Sequence, residues 1–392
     1  MRAYILKTDV KIDPFGDYAR DCLIGNKPLQ QLQAETLRAA GLEPIYIDDL
    51  SEITDPNEYI VLEDNLYLTV ELLLDFIAQS RQMKIRTVCA LKSGDITLRT
   101  AVDLQRVTIC DSHVRYGLYY YTPRDDRNNF QIVLIDPDEL HASIPMPAHM
   151  CGADSYTIPV TDKCLIQIDH WVNLWWANLV TVLANGARLQ KSPKWKLLLL
   201  ALKARSFNKW KISRATNKIG RNCDIHPTAY IEGSVIGDRV ILGAGAIVRN
   251  SIIGYNTSIG NSVVIEESVI GGDCVIMNGR VLFSVMYPRS FSVSGLITAS
   301  IVGRESFSGL HSTMTDFRFD NKNVMVIKDG KLVDSGNRFL GSCLGHGVYL
   351  GSGCVIAPGR MIPNGVHLTL TPDRIIRGCS DGQSDIEGYR IV

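Results

Sequence analysis

The sequence predicts two folds in one chain: an α/β unit at the N-terminus and a parallel β-helix behind it. Three observations predict this. An aliphatic residue recurs every six positions from about Ile219 to Leu282. Strand-like and helix-like patterns alternate through residues 1–83. A broad apolar helical pattern, 169–212, stands between the two. A period of six fits neither a 3.6-residue helix nor a two-residue strand alternation, but it does fit one short strand plus one corner per hexad.

The hexad openers are Ile219, Ile225, Ile231, Ile236, Leu242, Val248, Ile253, Ile259, Ile265, Ile270 and Ile276, often followed by Gly. Three hexads make one triangular coil, and each coil buries its face only by stacking on the next. Gly after the opener supplies backbone where a Cβ would clash. Three turns are one residue short: Ile231 to Val235, Val248 to Ile252, and Ile265 to Val269. The repeat returns at Leu344, Leu350, Ile356 and Ile362, so 283–340 reads as an irregular insertion of the kind that tends to carry function.

Basic and acidic residues balance at 41 each, so no global field favours nucleic acid. No apolar run is long enough to span a membrane, and no signal-peptide pattern opens the chain. Ten cysteines are scattered without a C-x-x-C pair, which argues against a zinc ribbon or disulfide framework and points to a reducing cytoplasm.

In order along the chain, 3–6, 44–47 and 59–62 read as strands, Leu29 to Ala40 as a helix closed by Gly41, and Thr69 as the cap of a helix from Val70 to Ile77. That alternation predicts a parallel sheet with ligands at its C-terminal edge. Ten acids and no base lie between Arg38 and Arg81, a solvated acidic face. Residues 86–91, 97–102, 116–121 and 131–135 read as strands, with a loop over 122–129 and a connecting segment around Pro145–Pro147. Tyr119, Tyr120 and Tyr121 are expected mainly to pack; stacking on a base or sugar is the alternative. Pro193 opens a second helical pattern. Between Arg188 and Lys218 there are ten basic residues and no acid. Such a stretch can dock on anionic lipid, but the reading preferred on sequence is a helical linker whose lysines cover apolar surface or meet the acidic face.

Residues 1–6, Gly25-Asn26-Lys27-Pro28-Leu29, 37–41 and Val61-Leu-Glu-Asp64-Asn65 together resemble a sugar-1-phosphate nucleotidyltransferase. The resemblance implies that Asp64 helps hold a metal, and Mg is expected if nucleotidyl transfer persists. The family's glycine-rich phosphate loop is replaced by 7–16, and its activating lysine by nothing closer than Arg20. Residues 300–303, 315–324, 331–336, 340–345 and 356–359 are similar to the C-terminal half of bifunctional sugar-1-phosphate nucleotidyltransferase/acetyltransferases of the archaeal type. This implies a left-handed β-helix that forms a homotrimer and binds acyl-CoA (acetyl-CoA) between subunits. The segment matching the family's catalytic histidine, 291–298, contains no His; His311 is the nearest substitute.

The expected organisation is a reduced nucleotidyltransferase-like α/β domain over 1–168, a basic helical linker over 169–215, a left-handed β-helix over 216–370 and a tail over 371–392. The expected catalytic residues are His311, Asp316 and Asp320. Arg318, Lys322, Lys27 and Asn65 are expected to bind substrate, and Asp64 a metal. In the run Thr315 to Asp320 the charges would share one side and Phe317 and Phe319 would anchor the other. The function expected is acyl-CoA-dependent group transfer to a sugar phosphate or nucleotide sugar, in the cytoplasm, with nucleotidyl transfer lost. The alternative is a non-catalytic sugar-nucleotide-binding regulatory or scaffold protein that keeps both folds.

Overall fold

Strand β1 (Arg2–Leu6) alternates its side chains between the two faces of a sheet. Around it the computed structural model, which describes residues 1–123, 130–151, 154–293, 295–371, 385–386 and 389–390, places α1 (Leu29–Ala39), β2 (Glu43–Ile47), β3 (Tyr59–Glu63), β4 (Leu66–Leu68) and α2 (Val70–Met83). β5 (Thr87–Lys92), β6 (His113–Tyr121) and β7 (Gln131–Ile135) follow. The sheet order is β7–β5–β6–β3–β1–β2, parallel except for β6. Ala3, Ile5, Leu62 and Leu118 face a core closed by Leu37, Leu72 and Phe76 of α1 and α2. The opposite face carries Tyr4, Val61, Tyr59, Tyr119 and Tyr121, and none of that cluster comes from an α-helix.

Several local expectations need correction. Residues 97–102 are not a strand: Asp95–Arg99 is helical, because Glu139 accepts the Ile96 N–H (2.9 Å) and Thr97 caps back onto Gly94 (3.0 Å). Thr69 does not cap α2 with its side chain; its hydroxyl accepts the Cys164 N–H instead (3.0 Å). The Pro145 region is no mere connection, since β8 (Leu140–Pro145) and β9 (Ser155–Val160) form an antiparallel hairpin. β10 (Leu165–Gln167) then pairs with β4. The expected loop over 122–129 and the tail over 371–392 lie largely outside the described residues.

The helical segment is not a linker. In α3 (Trp171–Gln190) Trp171, Val172, Leu174, Trp175, Trp176, Leu179 and Val180 are all buried. They share one core with Phe15 and Cys22 of the N-terminal unit and with Val269, Val285 and Ile301 of the coil. Trp175 donates to the Phe283 carbonyl (2.7 Å) and Asn178 bridges to Leu23 (3.0 Å) and Gly25 (2.9 Å). By contrast α4 (Lys194–Ala204) buries Ala201 alone and α5 (Lys209–Arg214) buries no residue.

From Lys218 the chain winds into a left-handed parallel β-helix with three sheets of eight, eight and seven described strands. Ile219, Ile236, Ile253, Ile270, Met286, Val302 and Leu344 pair in register from coil to coil. Gly237 does not serve a positive φ; a Cβ there would come within 2.7 Å of the Tyr255 nitrogen on the next coil. Left-handed backbone recurs instead along one corner line, at Asn222, Arg239, Asn256, Asp273, Arg289 and Glu305.

The short turns have a physical cause: each ends in a buried serine. Ser234, Ser251, Ser268, Ser284, Ser300 and Ser342 form a ladder in which each hydroxyl accepts the N–H of the next, at 3.0–3.1 Å. The ladder also corrects the insertion boundary. Strands continue in register through Ser312–Met314, so 283–314 is regular coil, and only the stretch from about 315 to 341 departs. The steps Val269 to Val285 and Val285 to Ile301 lack one residue each relative to Val235–Ile252–Val269, which breaks the hexad phase without breaking the coil. The insertion folds back as a hairpin (Met325–Lys328, Lys331–Asp334) onto the N-terminal unit.

Candidate functional site

Two places could hold chemistry: the edge of the N-terminal sheet and the outer corner of the coil. At the sheet edge, β3 ends in Glu63, followed by Asp64 and Asn65. β10 and α3 bring in Gln167 and Asp169 beside them. Asp64 is buried; one carboxylate oxygen accepts from the Thr8 hydroxyl (2.6 Å) and the other pairs with Arg20 (3.0 Å). Arg20 also donates to the Thr8 carbonyl (2.6 Å) and lies over the Tyr18 ring (4.2 Å). Asp169 accepts from the Arg106 backbone (2.7 Å) and side chain (2.9 Å) and from Asn65 (3.1 Å). Glu63 accepts from Gln167 (2.6 Å); burial pushes its carboxyl above the usual range, with Asp169 adding to the shift.

Every carboxylate of this trio is thus engaged by the chain's own donors. A divalent cation at Asp64 would have to displace an arginine and a hydroxyl and then sit against the arginine's charge. The donor set does not fit Mg. The loop over 7–16 explains why. Where a phosphate cradle would stand, Phe15 is buried in the junction with the coil, stacked on Tyr287 (5.4 Å) and His346 (4.8 Å). The Phe15 carbonyl accepts from Asn364 (2.7 Å). Backbone N–H groups can cradle phosphate only where they are presented together in an open loop, and this loop is spent on docking. Asp17 completes the latch, held by Arg304 and by His346 (3.1 Å). Burial opposes its charge, yet the His346 hydrogen bond and Arg304 hold its carboxyl below the usual range.

Beside the trio, on the bare face of the sheet, is a cavity of about 440 Å³ lined by Leu6, Val61, Glu63, Arg115, Tyr119, Tyr121 and Phe130. Tyr119 and Tyr121 both contact Phe130 (5.0 and 5.3 Å), whereas Tyr120 points into the core on the other face. The three tyrosines are therefore divided: two line a cavity and one packs. An aromatic wall with Arg115 and Glu63 at its rim can stack a planar ring and hydrogen-bond a polyol or phosphate.

Of the coil residues expected to form one site, Asp316, Arg318 and Asp320 line an open pocket of about 570 Å³ with Thr298, Phe317 and Phe319, and His311 does not line it. His311 and Asp316 stand at opposite ends of the strand Ser312–Met314, so roughly 15 Å of extended chain lies between them. Asp316 turns toward an apolar cavity of about 210 Å³ walled by Trp175, Trp176, Phe283 and Phe339, and burial pushes its carboxyl up. Arg318 pairs with Asp320 (Nε to Oδ1, 3.0 Å) on the surface. Lys322 is exposed, with its N–H on Asp320 (3.3 Å). Phe317 stacks on Phe339 (5.2 Å) as an anchor should, whereas Phe319 is 96% exposed and meets Phe317 edge-on (6.1 Å). Lys27 pairs with Glu35 (2.5 Å), and Asn65 is a buried strut between Ile168 and Asp169 rather than an open substrate contact.

The coil histidines differ in availability. Both ring nitrogens of His346 are engaged, by the Arg304 N–H (3.0 Å) and by Asp17. His226 uses Nδ1 on Thr228 (2.8 Å). His311 sits on an exposed left-handed corner, and no hydrogen bond to its ring is seen among the described residues. The insertion itself is a clamp: Ile327 accepts from the His170 ring (3.1 Å), Lys328 donates to Leu104 (2.7 Å), and Asn337 joins Arg99 (2.9 Å) to Trp176 (3.3 Å). Sequence reading missed Asp169, Arg106 and Arg115. Their signal was weak because each sits outside any motif and meets Glu63–Asn65 only through the fold.

Against known proteins, residues 211–287 match the family model described as GMPPB C-terminal domain. Over that stretch this bears out the resemblance to sugar-1-phosphate nucleotidyltransferases. No curated protein matches the chain. Among solved structures the chain is similar to the acetyltransferase domain of PglB from Neisseria gonorrhoeae in complex with acetyl coenzyme A. The identity is 16% and the TM-score 0.17, over 38% of this chain and 55% of that one. The match thus spans about half the length of that domain.

Proposed function

We propose that the chain acts on a sugar phosphate or nucleotide sugar, that its N-terminal cleft binds this ligand, and that the cleft performs no nucleotidyl transfer. The observation that carries this is the pairing of Asp64 with Arg20 and Thr8 beside an aromatic cavity with Arg115 at its rim. Stacking on Tyr119 suits a nucleobase, since Tyr121 is already stacked on Tyr59 (4.8 Å) and lies under Arg86 (4.6 Å), and Arg115 suits a phosphate. A thermal-shift series with nucleoside diphosphate sugars and sugar phosphates tests it, because a ligand of the native state raises stability. Tyr119→Ala and Arg115→Ala should each abolish the shift without lowering the unliganded Tm by more than a degree or two.

The group transfer we propose is acyl transfer on the coil, with His311 as the base. What supports it is the ring of His311, unengaged among the described residues, beside the exposed apolar Leu310 and with exposed Met277 two coils earlier on the same corner line, a spread that fits the arm of an acyl-CoA. Bound acyl-CoA would supply the activated acyl group. His311 would take the proton of an acceptor amine or hydroxyl. Asp316 and Asp320 then have no direct part, and Arg318 and Lys322 would serve only to attract an anionic acceptor. We further propose that the coil forms a homotrimer. One of its faces is covered by α3 and the N-terminal unit. A second carries the outward ladder Phe291–Phe307–Tyr349, with rings 5.5 and 5.9 Å apart, next to exposed Ile241 and Val275. An apolar ladder of this kind suits burial against another copy. Sedimentation of a stable monomer at micromolar concentration would count against this assembly.

A further inference from the structure

The second helical pattern forms a helix that no described residue covers. In α4 only Ala201 is buried. Trp195, Leu198, Leu199 and Leu202 recur at i, i+3, i+4 and i+7, the spacing of one helical face. All four are exposed, Trp195 at 59% and Leu202 at 63%. The turn into α5 adds Phe207, 83% exposed, and α5 adds Trp210. Soluble surfaces scatter such residues singly; a contiguous stripe marks a contact.

The charges around the stripe decide what it contacts. Of the ten basic residues between Arg188 and Lys218, the first two are spent within the chain: Arg188 pairs with Glu71 (2.7 Å) and Lys191 with Asp162 (2.5 Å). From Lys194 to Arg214 no carboxylate partner is seen among the described residues. Lys196 lies over the Trp195 ring (5.6 Å) and Lys209 over that of Trp210 (4.7 Å), so cations and aromatic rings share the same patch. The chain's own acidic stretch offers a second copy little to pair with, because Asp48, Asp55 and Glu58 are matched by Lys7, Arg2 and Arg81.

We infer that α4 and α5 dock the protein peripherally on an anionic lipid bilayer. The stripe would lie in the acyl boundary, Trp195 and Trp210 at headgroup level, and the lysines on the phosphates. Among the described residues no helix is long and apolar enough to cross a membrane, so the contact is interfacial. Apolar burial and surface charge act together in such docking, and each cation near the surface contributes about fivefold in affinity.

Flotation of the full chain with vesicles tests this. Vesicles of phosphatidylcholine with about a third phosphatidylglycerol should carry the protein up, and pure phosphatidylcholine vesicles should not. Raising salt to about 0.5 M should weaken binding at least tenfold, since exposed charges are then screened. Leu198→Ser with Leu202→Ser should lower binding tenfold or more, as should Lys194→Gln with Lys196→Gln, with Tm unchanged in both. No flotation with anionic vesicles would overturn the inference. So would flotation that both variants retain. Loss of self-association in the Leu198→Ser/Leu202→Ser variant, with no lipid binding by the parent, would assign the stripe to another copy and equally overturn it. Binding to polyglutamate but not to vesicles would overturn it in favour of an acidic protein partner.

Discussion

The N-terminal cleft and the outer corner of the coil treat their charged groups in opposite ways. In the cleft each carboxylate has a fixed partner: Asp64 has Arg20, Asp169 has Arg106, and Glu63 has Gln167. At the corner His311 stands exposed with its ring unengaged among the described residues. A group whose hydrogen-bonding capacity is filled by the protein stabilises a shape; a group left open can exchange a proton with a ligand. On the function proposed above, the cleft is a binding surface and the corner the place for chemistry, the reverse of what motif matching at Asp64 suggests.

The largest expected effect lies in the joint that holds the filled half in place. Trp175→Ala removes a buried ring and the donor to Phe283, and should cost about 3–5 kcal/mol by denaturant melting. A loss under 1 kcal/mol would show that α3 is a linker after all. Next, Arg20→Met strands a buried carboxylate and should cost about 2–4 kcal/mol, with most of the loss recovered when Asp64→Asn is added. Independent losses in that double-mutant cycle would break the idea that the pair is one unit.

A third measurement concerns half-buried Glu267 on the coil. Burial pushes its carboxyl up to about 7; the Asn250 hydrogen bond opposes this and Glu266 adds to it. The folded state therefore holds a proton that the unfolded chain gives up near its ordinary value of about 4.3. Stability falls as pH rises from about 4.3 to 7 and stays low above that. Glu267→Gln should match the parent at pH 4 and exceed it by about 1–2 kcal/mol at pH 8, a figure reduced for solvent screening. The smallest stability effect is at the open group: His311→Ala should change stability by less than about 0.5 kcal/mol while abolishing acyl transfer. A large stability loss there would make His311 structural and erase the contrast.

Much of the fold was legible because it repeats. Ile219, Ile236, Ile253 and Ile270 occupy one line of the coil, and a period survives any uncertainty at single residues. The serine ladder was legible in principle, at 234, 251 and 268, but a polar residue buried at a corner looks like an ordinary turn residue until its partner one coil away is known. The coil over 283–314 was lost because a one-residue shortening at Ile276–Val281 and again at Ser292–Ile297 shifts the hexad phase. The site was less legible than the fold. Asp64 was found from its position after a strand, but Arg20 and Thr8 reach it from 44 and 56 positions away, and Asp169 meets its neighbour Asn65 from 104. Linear spacing carries no trace of such closure. Nor could the pattern of α3 and α4 tell a buried apolar helix from a bare one, since both carry Trp and Leu at helical spacing and differ only in what lies across from them.

The claim that the cleft binds without transferring nucleotides is tested most directly by running two assays on one preparation. With Mg and matched nucleoside triphosphates and sugar-1-phosphates, no pyrophosphate should appear above buffer. A nucleoside diphosphate sugar should raise Tm by the same amount in Mg and in EDTA. Magnesium-dependent pyrophosphate release that disappears in Asp64→Asn would contradict the account.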